Sequence, residues 1–117
     1  IYYYGIFDGD TLISGCSGRF HFRTQPAPDT ERPLRFWVVG DSGDGSHPQI
    51  AAFEAMKRFT SRERRRLDAF IHLGDMAYTD GKDGEFQDNF FDIYASMLRN
   101  TVTWPTMGNH EGRTASG

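Results

Sequence analysis

The sequence predicts an α/β fold built on three parallel strands, preceded by a short all-β segment. Three observations carry this. Val38-Val39-Gly40-Asp41, His72-Leu73-Gly74-Asp75 and Thr106-Met107-Gly108-Asn109 each end in a glycine and then a residue with a hard oxygen donor. They recur at equal intervals of 34 residues, close to the roughly 30 residues or more that a strand, a crossover helix and the next parallel strand occupy. Residues 25–33 hold three of the five prolines, a stiff stretch of the kind that joins domains. The expected organisation is a β segment over 1–25, a Pro-rich linker over 26–33 and an α/β segment over 34–117.

The 117 residues suffice for one small domain. The chain is 38% hydrophobic, 25% charged and 15% aromatic, and that aromatic content argues against disorder. A net charge of −3 supplies no basic field to recruit nucleic acid, so no nucleic-acid partner is expected. No apolar run approaches the roughly 20 residues of a membrane span, and the start does not read as a signal peptide. Cys16 is the single cysteine, which leaves the redox compartment unreadable. The chain begins with Ile1 and reads as a piece of a longer protein.

In order, Ile1–Phe7 is rich in strand formers, Asp8-Gly9-Asp10 is a turn signal, and Gly18–Thr24 alternates polar and apolar. These two runs are expected to pair antiparallel, as the last strands of a β domain. Leu34–Gly40 is the first strand of the parallel sheet, apolar at its end as a strand buried on both faces would be. Ser46 with Gln49 reads as a capping box and Pro48 suits a first helical turn. A helix is expected over His47–Arg62, with Ile50, Phe53, Met56 and Phe59 toward the sheet.

The cluster Arg62, Arg64, Arg65, Arg66 reads as a solvated helix end whose cations suit the dipole, since no aromatic residue is interleaved for base stacking. Asp68–Gly74 is the second strand, with His72 in a structural role. Asp83 is the expected N-cap of a second helix over Glu85–Arg99, with Phe86, Phe90, Ile93, Tyr94 and Met97 in the core. Val102–Met107 is the third strand, where Pro105 removes a ladder donor. Three parallel strands with two helices are expected to leave an apolar sheet face open.

Parallel strands of this order deliver Asp41, Asp75 and Asn109 to the carboxyl edge of one sheet, where open α/β sheets place their sites. With Tyr78 they form a set of oxygen donors suited to hard cations such as Mg²⁺, Mn²⁺ and Fe³⁺. His110, next to Asn109, is placed to orient a substrate oxygen or protonate a leaving group. Any one Gly-Asp strand end is more often a helix cap; the three together, with Tyr78 and His110, point to a metal site.

Gly40-Asp41-Ser42-Gly43, Gly74-Asp75-Met76-Ala77-Tyr78 and Gly108-Asn109-His110-Glu111 resemble the first three of five motifs of the calcineurin-like metallophosphoesterases. The tyrosine in Gly-Asp-x-x-Tyr resembles the purple acid phosphatase branch. The likeness spans about residues 34–112, and the strand pair ahead of it resembles the fibronectin type III-like domain that often precedes the catalytic domain there. The resemblance implies a hydrolase with a binuclear centre of Fe³⁺ and a divalent metal (Fe, Zn or Mn). Asp41 and Tyr78 would ligate the ferric ion, Asp75 would bridge, Asn109 would ligate the divalent ion, and His110 would contact the phosphate or leaving group. The expected reaction is acid phosphatase-like hydrolysis of phosphate monoesters by metal-bound hydroxide.

The remaining family motifs, Val-x-x-His and Gly-His-x-His, do not occur in these 117 residues, so this segment alone is expected to be inactive. His21, His47 and His72 fit neither motif. Alternative readings are a metal-dependent phosphodiesterase or nuclease of the same fold, and a non-catalytic binding module. The family's members are mostly secreted or held outside the cytosol, which implies an extracellular or periplasmic location.

Overall fold

A computed structural model describes residues 1–63 and 66–113. Arg64 and Arg65 of the basic cluster lie outside the described residues. Strands β5 (Phe36–Val39), β6 (Ala69–His72) and β7 (Val102–Pro105) pair in parallel in the order β5-β6-β7. Trp37 lies opposite Phe70 and Val39 opposite His72; Phe70 lies opposite Thr103 and His72 opposite Pro105. The third strand stops at Pro105, and Thr106 N–H resumes the ladder by donating to His72 C=O at 2.8 Å. The mixed α/β architecture expected for a partial metallophosphoesterase domain is therefore present.

Right-handed crossovers between strands in this order place both helical connections on one face of the sheet. That face holds the core. Trp37 stacks on Phe70 and Phe53 at 5.0 and 5.9 Å, and Tyr94 meets Phe53 edge-on at 5.0 Å. Phe53, Phe70, Phe90, Tyr94 and Met97 are all buried there. Aromatic pairs of this geometry contribute about 0.5–1.5 kcal/mol each beyond their area.

Helix α1 spans His47–Arg62, and the Ser46 hydroxyl accepts from Gln49 N–H at 3.5 Å. Only half of the capping box forms, because the Gln49 side chain turns inward instead. Gln49 is buried, and Ile50 and Phe59, expected to face the sheet, are exposed. The buried stripe is thus rotated by one residue toward Gln49 and Phe53.

The second helix starts at Asp83 rather than after it, with Lys82 at the cap. Glu85 holds this start by accepting from the N–H groups of Thr79, Asp80 and Lys82 at 2.6–3.0 Å. The run α2 (Asp83–Phe86) passes through a π-helical stretch, Gln87–Phe91, into α3 (Asp92–Leu98). The wider π turn breaks strict 3.6-residue spacing, which the sequence periodicity did not anticipate. It lets Asn89 donate to Tyr78 C=O at 3.2 Å while its own carbonyl accepts from Gln49 at 2.6 Å. No helix among the described residues is long and apolar enough to cross a membrane.

The N-terminal region forms two antiparallel pairs, not one. β1 (Tyr2–Tyr3) pairs with β4 (His21–Phe22), while β2 (Gly5–Asp8) folds onto β3 (Thr11–Gly15) through the Gly9 turn. The strand over Thr11–Gly15 was not expected; the turn signal at Asp8-Gly9-Asp10 closes a local hairpin over Gly5–Asp8, while the expected pairing of the two runs forms at Tyr2–Tyr3 with His21–Phe22. Tyr4 donates to Arg99 C=O at 2.9 Å, and Asn100 donates to Arg19 C=O and His21 C=O at 2.9 and 2.8 Å. These bonds tie the β segment to the end of α3. Residues 23–35 contain neither helix nor strand.

Asp68 anchors the chain entering β5. It accepts from the Arg32 guanidinium at 2.5 Å and from Arg35 N–H at 2.8 Å. Burial alone would raise the Asp68 carboxyl, but these two donors hold it below its ordinary value. A depressed folded-state value means stability present above the unfolded carboxylate range, about 3.9, and lost as pH falls through the folded value. Asp68→Asn is therefore expected to lower the melting temperature at pH 7, with the deficit shrinking below pH ~4. Melting curves against pH check this, and a deficit constant with pH would contradict it.

The other face of the sheet is open as expected: Phe36, Val38, Val102 and Trp104 are 51–65% exposed. A patch of this kind drives association. The chain is expected to self-associate at micromolar concentration, and Val38→Lys with Trp104→Lys to suppress it in sedimentation velocity. A monomeric wild-type chain with a sharp, cooperative heat-absorption peak would count against this.

Candidate metal centre

The loops leaving β5, β6 and β7 are laced together by their backbones. Asp41 N–H donates to Gly74 C=O at 3.1 Å, Gly43 N–H to Asp75 C=O at 3.0 Å, and Tyr78 N–H to Gly43 C=O at 2.8 Å. Asp41 and Asp75 each sit in the left-handed region, at φ +52° and +57°. Aspartate tolerates this region better than most residues, at a cost of about 1–2 kcal/mol. Gly74, at φ +106°, lies so close to the third loop that a Cβ there would stand 2.8 Å from Gly108 Cα. A Cβ on Gly108 would overlap the Asp75 carboxylate. Glycines at both strand ends thus let the second and third loops pack backbone to backbone.

This lacing brings four of the expected residues together. The Tyr78 hydroxyl lies 3.2 Å from Asp75 Oδ2 and 3.4 Å from Asp41 Oδ1, so one phenol proton is shared between two carboxylates. Burial, then the charges of Asp75 and Asp41, push the phenol up to about 12. Asp75 Oδ1 accepts from His110 N–H at 2.9 Å; that bond, aided by the phenol, holds its carboxyl below the ordinary value. His110 Nδ1 lies 2.6 Å from Thr79 C=O, and its ring packs on Tyr78 with centroids 4.2 Å apart. A carbonyl only accepts, so Nδ1 carries the proton and Nε2 is the nitrogen left for chemistry. Asn109 is placed at the same edge by its neighbours Gly108 and His110; its side chain is exposed and makes no hydrogen bond among the described residues.

Glu111 was quoted in a motif but given no role by the sequence, and it is central here. It is buried, and its carboxylate accepts four backbone N–H groups: Asp75 and Gly108 at 2.8 Å on Oε2, and Met76 and Ala77 at 2.7 and 3.0 Å on Oε1. One side chain therefore holds the second and third loops in a single geometry. The signal for it was an acidic residue three positions after Gly108; nothing in the surrounding periodicity marks it as buried. His72, expected to be structural, is fully buried and bonds Ser42.

Among the described residues no three of His, Cys, Asp and Glu gather as a metal cage. The donors that converge are instead two carboxylates and a phenol, with the Asn109 amide on the neighbouring loop. Among the described residues the phenol proton lies between the two carboxylates, and a set of this kind fits a hard cation.

A family model described as calcineurin-like phosphoesterase matches residues 34–116. No curated protein and no solved structure matches.

Proposed function

From the premise that the chain belongs to the calcineurin-like phosphoesterase family, a family of metal-dependent hydrolases of phosphate esters, we propose an acid phosphatase-like monoesterase of the purple acid phosphatase kind. The observation that carries the finer reading is the Tyr78 phenol, within hydrogen-bond reach of both Asp41 and Asp75. A phenol in the ligand set favours a ferric ion beside a divalent one (Fe, Zn or Mn), since trivalent charge stabilises a phenolate.

Asp41, Asp75, Tyr78 and Asn109 would hold the metals, with Asp75 between them. Bound cations supply positive charge to the phosphoryl oxygens and Lewis acidity at the reacting centre. The chain's own part is positional and protonic. Glu111 holds the loops bearing Asp75 and Asn109, and the Thr79 carbonyl pins His110 Nδ1–H. In the imidazolium, which carries protons on both nitrogens, the Nε2 proton is the one that would pass to the departing alkoxide, leaving the neutral Nδ1–H ring held by Thr79. The β segment as the end of a fibronectin type III-like domain and a location outside the cytosol belong to the same proposal, as does the inactivity of this segment alone.

The test is turnover of p-nitrophenyl phosphate and bis(p-nitrophenyl) phosphate by the protein that carries this segment. Monoester turnover is expected to dominate, to vanish on dialysis against chelator and to return with Fe³⁺ plus Zn²⁺ or Mn²⁺. Faster diester turnover would favour the phosphodiesterase reading, and activity untouched by chelator would sink both.

A further inference from the structure

The second and third loops are held by Glu111, but among the described residues no hydrogen bond joins it to the first, which bears Asp41. We propose that buried His72 and Ser42 form a positioning relay that fixes the Asp41 loop against the Asp75 loop. The inference rests on the metal-centre reading, because its consequence is the separation of two proposed ligands.

The geometry gives the relay a direction. Gly74 N–H donates to His72 Nδ1 at 3.3 Å, so Nδ1 is an acceptor and the ring proton lies on Nε2. Nε2–H then donates to Ser42 Oγ at 3.0 Å. Ser42 Oγ lies 3.3 Å from the Tyr94 hydroxyl, which accepts from Gln49 Nε2 at 3.1 Å. Gln49 Oε1 accepts in turn from Gly45 N–H at 2.8 Å. The chain leaves the second loop at Gly74 and returns to the first loop at two points, Ser42 and Gly45.

The ring is locked in place. His72 is fully buried, with Phe70 and Phe90 edge-on at 5.7 and 5.6 Å. Burial also holds the imidazole below its ordinary value, in keeping with a neutral ring that donates from one nitrogen and accepts at the other. Apart from the Tyr78 phenol on Asp41, the Ser42 hydroxyl makes the side-chain hydrogen bonds described for residues 41–43. With the backbone bonds of Asp41 and Gly43 to the second loop, these side-chain bonds keep left-handed Asp41 from relaxing to a commoner backbone conformation. His72 and Ser42 touch no substrate; they act through the loop.

The test uses the protein that carries this segment, with Ser42→Ala, His72→Phe, His72→Gln and the Ser42→Ala/His72→Phe double variant. In the metal-free wild type, ¹⁵N NMR is expected to show the Nε2–H tautomer of His72. Amide exchange at Ser42 and Gly43 is expected to quicken about tenfold in Ser42→Ala. Mn²⁺ titration is expected to show a 10–100-fold weaker site in Ser42→Ala and His72→Phe, the usual range for partners one step behind a metal ligand. The double variant should be no weaker than the worse single one, because both act through one bond. His72→Gln, whose amide can still donate to Ser42, should recover most of the affinity.

An Nδ1–H tautomer, or Mn²⁺ binding by Ser42→Ala equal to wild type, overturns the relay. Should His72→Phe lose the fold, the tautomer and Ser42→Ala decide alone. A wild-type protein, carrying this segment, that binds no Mn²⁺ overturns the metal reading instead, and the tautomer and exchange rates then decide the relay.

Discussion

Asp75→Asn is expected to abolish metal binding and to lower kcat/KM on a phosphate monoester by on the order of a thousandfold, while leaving the fold intact. The separation of the two effects follows from the hydrogen bonds. Asp75 Oδ1 accepts from His110 N–H and Oδ2 from the Tyr78 phenol. Asparagine keeps an oxygen for the His110 N–H and turns its NH₂ toward the phenol oxygen, which can accept. The local structure therefore survives, but the negative charge that Asp75 would offer to the metals is gone.

Asp75→Ala would confound the test by leaving the His110 N–H without its acceptor. Asp44→Asn is the matched control. Asp44 is on the first loop and accepts from Ser46 N–H at 3.0 Å, outside the ligand set, and its substitution should leave turnover unchanged. Metal content by mass spectrometry and steady-state kinetics, read with a melting curve, decide the matter. Metal and turnover retained in Asp75→Asn would remove Asp75 from the centre.

How far the sequence reaches can be seen residue by residue. The α1 limits, His47–Arg62, follow from Ser46, Pro48 and the basic end, all local signals. The parallel order follows from the even spacing of the glycine-ended strands, because a crossover has a nearly fixed length. What local signals miss is set by partners distant in the chain. Gln49 is buried because Gly45, Asn89 and Tyr94 use its amide, and that rotates α1 until Ile50 faces outward. The π turn forms where Asn89 must reach both Tyr78 and Gln49. The expected pairing forms at Tyr2–Tyr3 with His21–Phe22, but over Gly5–Asp8 the hairpin to Thr11–Gly15 takes its place because the closing loop is shorter.

The site divides the same way. Asp41, Asp75 and Tyr78 are legible because each follows a strand signal by a fixed offset. Glu111 is not, because its four partners are main-chain N–H groups, which every sequence supplies.

Glu111→Gln is for that reason the most informative stability change, with an expected loss of about 3–5 kcal/mol. Each carboxylate oxygen accepts two N–H groups, Asp75 and Gly108 on one, Met76 and Ala77 on the other. An amide has one oxygen, so whichever way it turns, its NH₂ faces two N–H donors. Two buried backbone groups lose their acceptor at about 1–3 kcal/mol each. A small domain is stable by only about 5–15 kcal/mol in all, so a large share of the fold's margin is at stake.

Glu111→Asp is no rescue, since the shorter side chain cannot span both loops at 2.7–3.0 Å. Amide exchange locates the damage: residues 75–77 and 108 should lose protection together, while Phe53 and Tyr94, in the core below, retain most of theirs until global unfolding. Protection lost only at 75–77, with Gly108 unchanged, would mean that Glu111 braces one loop rather than joining two. The third loop would then need another anchor to hold Asn109 and His110 beside Asp75.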